Sequence, residues 1–151
     1  MRRFALVVTV LALAACAKKD EAPSTAPPAA MAAAPMNLAA VAGTWNFTVT
    51  NVAGDSVLTT YTLVATADTT GWMMTLPNRP AMALKLTVSG DSVMAAAPEY
   101  ESVLKKGVKV TTNSTFHLVG DTMMTNTVAH YSVAGPDSMR LLRAKGVRAP
   151  K

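Results

Sequence analysis

The chain has 151 residues, a formal net charge of +5, half of its residues hydrophobic and one cysteine. A lone thiol excludes an internal disulfide. The Lys and Arg residues are dispersed and form no basic run with interleaved aromatics, which argues against nucleic acid as a partner.

The chain opens MRRFALVVTVLALAAC, with Arg2 and Arg3 ahead of a twelve-residue apolar run from Phe4 to Ala15. A membrane-spanning helix needs about 20 apolar residues. The shorter run, with these flanks, predicts a signal peptide over residues 1–15. Leu13-Ala14-Ala15-Cys16 resembles the bacterial lipobox. That resemblance implies cleavage before Cys16, diacylglycerol on its thiol and an N-acyl lipid on the new terminus, with no other cofactor. The alternative is an ordinary secretory signal that happens to end in Cys. Each buried methylene of an acyl chain contributes about 0.8 kcal/mol, so two or three chains hold a protein on a membrane. The expected partner is therefore the membrane, through the anchor. Ala17 stands where an Asp would resemble an inner-membrane retention signal. In a Gram-negative cell the resemblance thus implies the outer membrane, facing the periplasm.

Loss of residues 1–15 removes Arg2 and Arg3 and lowers the formal charge to +3. The following stretch, AKKDEAPSTAPPAAMAAAPMNL, is mostly Ala, Pro, Ser and Thr after a short charged patch. Such a composition buries too little apolar surface to offset its ordering entropy. Pro23, Pro27, Pro28 and Pro35 interrupt any Ala-rich helix. Residues 16–40 are read as the lipidated Cys and a flexible tether.

Residues 41–148 are rich in Val, Thr, Leu and Met, with turn residues at short intervals. This is enough chain for one core and not for two. One pattern recurs: VAGDSV at 52–57, VSGDSV at 88–93, LVGDTM at 118–123 and, with an inserted Pro, VAGPDSM at 133–139. Gly-Asp between strand-like runs is a hairpin signal, and Gly suits the first central position of a type II′ turn. A two-residue loop pairs Val52 with Val57 and Val88 with Val93; a three-residue loop is the alternative. Gly-Asp-Ser also resembles the nucleophile motif of an esterase family. Here it recurs and once carries Thr, and no Asp has a His three residues on. No nucleophile–base set can be assembled, so no catalytic residue is assigned and a non-enzyme is expected.

Between the turns, apolar and polar residues alternate, as in Trp45, Phe47 and Val49 against Thr44, Asn46 and Thr48. That period marks strands with one buried face. It predicts about eight strands, near 44–52, 57–67, 71–76, 81–89, 92–97, 108–119, 122–133 and 138–146. Short connections make these an antiparallel up-and-down meander, and closure would remove exposed edges. Gly43-Thr44-Trp45 resembles the Gly-x-Trp signature of lipocalin-like, or calycin, barrels. The resemblance implies a small closed barrel with Trp45 at one end and an Arg of the last strand packed across it. Arg143 is the expected match and Arg140 the alternative.

Two functions follow from that fold. The interior could take a small hydrophobic or amphipathic ligand, with Trp45, Phe47, Leu84, Leu86, Val110 and Phe116 as candidate lining. A filled barrel would instead be a structural or assembly component of the envelope. Ligand pockets are typically about 300–1,000 Å³, so the interior volume discriminates the two. His117 and His130 are expected about six residues apart along one ladder, roughly 20 Å, too far to share a metal. Scattered Met residues suit core or cavity filler better than Cu(I) ligation. Pro77–Pro80, with Arg79, and Pro98–Glu101 are the least strand-like segments and candidates for a rim.

Overall fold

A computed structural model of the chain describes residues 35–150. The signal peptide, Cys16 and the tether before residue 35 lie outside the described residues. Nine antiparallel strands form one sheet. They are β1 (Gly43–Asn51), β2 (Gly54–Ala65), β3 (Met73–Thr75), β4 (Met82–Ala83), β5 (Lys85–Ser89), β6 (Ser92–Glu101), β7 (Lys109–Val119), β8 (Thr122–Tyr131) and β9 (Met139–Arg148). The order across the sheet is β4-β3-β2-β1-β9-β8-β7-β6-β5. Strands adjacent in sequence pair in every case but one, and β1 also pairs with β9. This is an up-and-down sheet.

The exception is the strand expected over 81–89. It divides at Leu84 into β4 and β5, which occupy opposite ends of the sheet. The Leu84 N–H leaves the ladder and donates to the Trp72 carbonyl at 3.0 Å. Hydrogen bonding therefore does not close the sheet.

Two of the repeated turns are two-residue hairpins. Val88 faces Val93 across Gly90-Asp91, and Leu118 faces Met123 across Gly120-Asp121. Gly90 and Gly120 have φ of 56° and 58°, the left-handed region a type II′ turn needs at that position. The first repeat departs from expectation. Asn51 pairs with Gly54 and Thr50 with Val57, so the loop is Val52-Ala53 and Val57 does not face Val52. Bulges beside Thr50 absorb the extra residues. In the fourth copy, Pro136 opens a turn of 3-10 helix over Pro136–Ser138.

The sheet curls until distant strands meet. Phe47 of β1 packs edge-on against Phe116 of β7 at 5.8 Å, although β9 and β8 separate those strands in the sheet. Trp72 meets Phe116 at 6.0 Å, and Tyr61 stacks on Phe47 at 4.6 Å. Trp45, Trp72, Phe47, Leu63, Met123, Val41 and Val93 are fully buried.

The described residues include the end of the segment read as tether. The Ala39 N–H donates to Asn37 Oδ1 at 3.0 Å, capping a helical turn, α1 (Leu38–Val41). Met36 donates its N–H to the Gly90 carbonyl at 2.9 Å, and Met36 and Leu38 pack against the core. Apolar residues in an otherwise Ala-Pro stretch thus gain burial by docking on the sheet.

Candidate functional site

The two ends of the sheet's inward face differ in chemistry. At one end, the Trp45 indole N–H donates to the Val41 carbonyl at 2.8 Å. The Arg148 guanidinium lies 4.4 Å from the centroid of the Trp45 ring. It donates to the Ala42 carbonyl at 2.9 Å and also to the Ala40 carbonyl. One cation thus ties the last strand to the indole and to α1.

This Arg is neither Arg143 nor Arg140. In β9 the even-numbered Leu142, Ala144 and Gly146 face inward, and Arg148 continues that parity. Arg143 has the opposite parity and faces solvent. Arg140 shares the inward parity but pairs with Ala129, far from Trp45 along the strand. Trp45 and Arg148 occupy the same rung.

The opposite end holds a cup of about 60 Å³. Its polar lining includes Tyr61, Tyr100, Tyr131, Thr112, Ser114 and Thr127, set among apolar residues from β1, β7, β8 and β9. The Ser114 and Thr127 hydroxyls are bonded at 2.8 Å. Thr125 lies one inward position below Thr127. Its hydroxyl is buried beside the Tyr61 phenol, yet makes no aligned hydrogen bond. Burial pushes the Tyr61 phenol well above the ordinary tyrosine range, against a smaller opposing effect of Thr125. Burial raises Tyr100 as well, opposed by a smaller effect of the nearby Thr112 hydroxyl and reinforced by nearby Tyr131. The phenols are thus neutral donors and acceptors at physiological pH.

A short loop covers the cup. Ser102 Oγ accepts the N–H groups of Leu104 and Lys105, each at 3.0 Å. Lys105 sits 4.7 Å from the Tyr131 ring centroid and donates to the Asp137 carbonyl at 3.0 Å. Its ammonium also approaches the Asp137 carboxylate at 3.8 Å.

The six residues expected to line a ligand space are not gathered round the cup. Trp45, Phe47, Val110 and Phe116 are buried in the core, and Leu84 and Leu86 pack against it half-buried. Only Val110 borders the cup. The three tyrosines were missed. Tyr61 and Tyr131 carry the inward parity of Leu63 and Ala129, which the alternation made readable. Tyr100 follows a register shift after Ala97; Pro98 marks the irregularity in the sequence, but not which residues beyond it turn inward.

No protein-family model matches the chain. No curated protein or solved structure matches it significantly either.

His117 pairs with Met124 and His130 with Thr111, the separation expected of a two-residue loop. Among the described residues, no three His, Cys, Asp or Glu side chains cluster to hold a metal. Met74 and Met123 are core filler, whereas Met94, Met124 and Met139 stand exposed on the outer face. The Leu76–Arg79 segment borders an open groove of about 720 Å³ beside β1 and β2, with Arg79 on its edge.

Proposed function

We propose that this chain is an acylated lipoprotein of the cell envelope, held by lipid on Cys16, whose lipocalin-like barrel is filled and acts through its outer surface. The observation that carries the reading is the interior. Aromatic and aliphatic side chains occupy it, and the remaining cup of about 60 Å³ falls well short of a typical ligand pocket of about 300–1,000 Å³. A fatty acyl chain has no room there. The end strands β4 and β5 are separated by Leu84 alone, so chain continuity supports closure where hydrogen bonding does not supply it. The plug of Trp45 and Arg148 supports the resemblance to calycin barrels. Anchoring rests on the resemblance of Leu13-Ala14-Ala15-Cys16 to the lipobox, and Ala17 supports the outer membrane, facing the periplasm, in a Gram-negative cell.

Native mass spectrometry of the detergent-extracted protein tests the filled interior. The expected species is the acylated chain with nothing retained. A stoichiometric noncovalent lipid would restore the carrier reading. Cys16→Ser tests the anchor, with loss of fatty-acid labelling and a soluble or unprocessed product expected. Unchanged membrane association of the unlabelled variant would overturn it.

A further inference from the structure

The outward face of β9 presents Met139, Leu141, Arg143, Lys145 and Val147 in one line. Met139 is 53% exposed, Leu141 49% and Val147 50%. At the usual strand rise this stripe is roughly 27 Å long. It lies in the middle of the sheet, flanked by β1 and β8. The outward neighbours are Asn46, Thr48 and Thr50 on β1 and Thr122, Met124, Asn126, Val128 and His130 on β8. Met124 sits on the same rung as Lys145, and Val128 on the same rung as Leu141. No carboxylate stands among these neighbours. Neither Arg143 nor Lys145 is in an ion pair among the described residues, although Lys105 and Lys109 both are. A strand exposed to water on one face ordinarily alternates apolar-in with polar-out. Three of the five outward positions here break that rule.

We infer that the outward face of β9, with Met124 and Val128 of β8, docks on an anionic phospholipid surface. Arg143 and Lys145 meet lipid phosphates, and Met139, Leu141 and Val147 enter the headgroup boundary. The inference rests on the anchored reading for its strength. Each basic residue near an anionic bilayer raises partitioning about fivefold, so two cations alone hold a free protein weakly. An anchor changes that balance. Cys16 is twenty residues before Met36, a span of at most about 70 Å, so the domain never leaves the surface region. Tethering converts docking to an intramolecular event at millimolar effective concentration, where a weak patch suffices. Charge selects this occupant: a cationic, acid-free stripe with exposed apolar residues complements a negatively charged interface.

The test uses the acylated full chain in vesicles of phosphatidylcholine alone or with phosphatidylglycerol. Lipid consumes the Cys16 thiol, so an introduced cysteine carries an environment-sensitive fluorophore at one position. Leu141→Cys reports on the β9 face, and Thr87→Cys on β5, at one end of the sheet order. The Leu141 label is expected to shift to the blue in anionic vesicles, and the Thr87 label to stay in water. The shift should fall at least fivefold in amplitude with Arg143→Glu plus Lys145→Glu, and shrink at high salt. A Leu141 label that stays in water on protein floating with anionic vesicles overturns this inference alone. Shielding that is equal in neutral vesicles and grows with the protein-to-lipid ratio also overturns it, in favour of a second copy. Protein that carries no acyl chain and does not float overturns the anchored reading, and this inference with it.

Discussion

Arg148 and Trp45 share one rung of the β1–β9 ladder, and the guanidinium lies over the indole at 4.4 Å. The pair sits at one end of the sheet's inward face. Its two carbonyl hydrogen bonds reach back to the residues that end α1, so one side chain joins the two ends of the described chain.

Arg148→Ala is therefore expected to destabilise the protein more than its surface position suggests. A cation–π contact of this kind contributes about 0.5–2 kcal/mol. For a domain near 100 residues, each lost kcal/mol lowers Tm by about 4–8 °C. Arg143→Ala, on the solvent side, should stay within about 0.5 kcal/mol of the parent. Thermal unfolding of the two variants decides it, and equal effects would refute the pairing. Lysine at 148 should recover only part of the loss, because it lacks the planar fork that reaches two carbonyls.

That plug shows where reading the residues succeeded and where it ran out. Alternation and the Gly-Asp turns located the strands, because a one-face burial pattern and a left-handed glycine both leave local marks. Arg148 escaped because the last strand was expected to end at 146, and its pairing with Trp45 depends on a register set by β1. Bulges hid the rest. The shift between Ala97 and Tyr100 reverses inward parity, and those near Thr50 move the first loop off Gly54-Asp55. Backbone irregularities of this kind take their register from the partner strand, and a short window marks at most their place, as Pro98 does.

Gly146 is the tightest position in the last strand. A Cβ there would lie 2.5 Å from the Phe47 ring, which is buried and stacked on Tyr61 and cannot retreat freely. Gly146→Ala should cost about 1–3 kcal/mol through overpacking. Adding Phe47→Leu should return part of that loss, read as a positive coupling in a double-mutant cycle. Independent, additive losses would show that the contact is relieved elsewhere.

Thr125 offers the opposite sign. Its hydroxyl is buried without an aligned partner, an arrangement that costs about 1–3 kcal/mol. Thr125→Val keeps the shape and should raise stability by about 1 kcal/mol. Ser114→Ala, which breaks the 2.8 Å bond to Thr127, should lower it by about 0.5–1.5 kcal/mol. Denaturant midpoints at constant slope measure both. A destabilised Thr125→Val would mean that the Tyr61 phenol engages that hydroxyl in solution.

Tyr61 and Tyr100 predict how the fold fails in alkali. Burial raises both phenols above the ordinary value near 10, so the folded state holds their protons longer than the unfolded chain does. Stability from this source is fully present below pH of about 10 and declines as pH rises toward the folded values. Between those limits the unfolded chain ionises first, and unfolding is drawn forward by phenolate formation. Tyrosinate absorbance from Tyr61 and Tyr100 should therefore rise together with loss of the circular dichroism of the sheet. Tyr61→Phe should weaken the alkaline dependence of stability while leaving its acid limb unchanged. A single tyrosinate step that precedes any loss of structure would place these phenols in water.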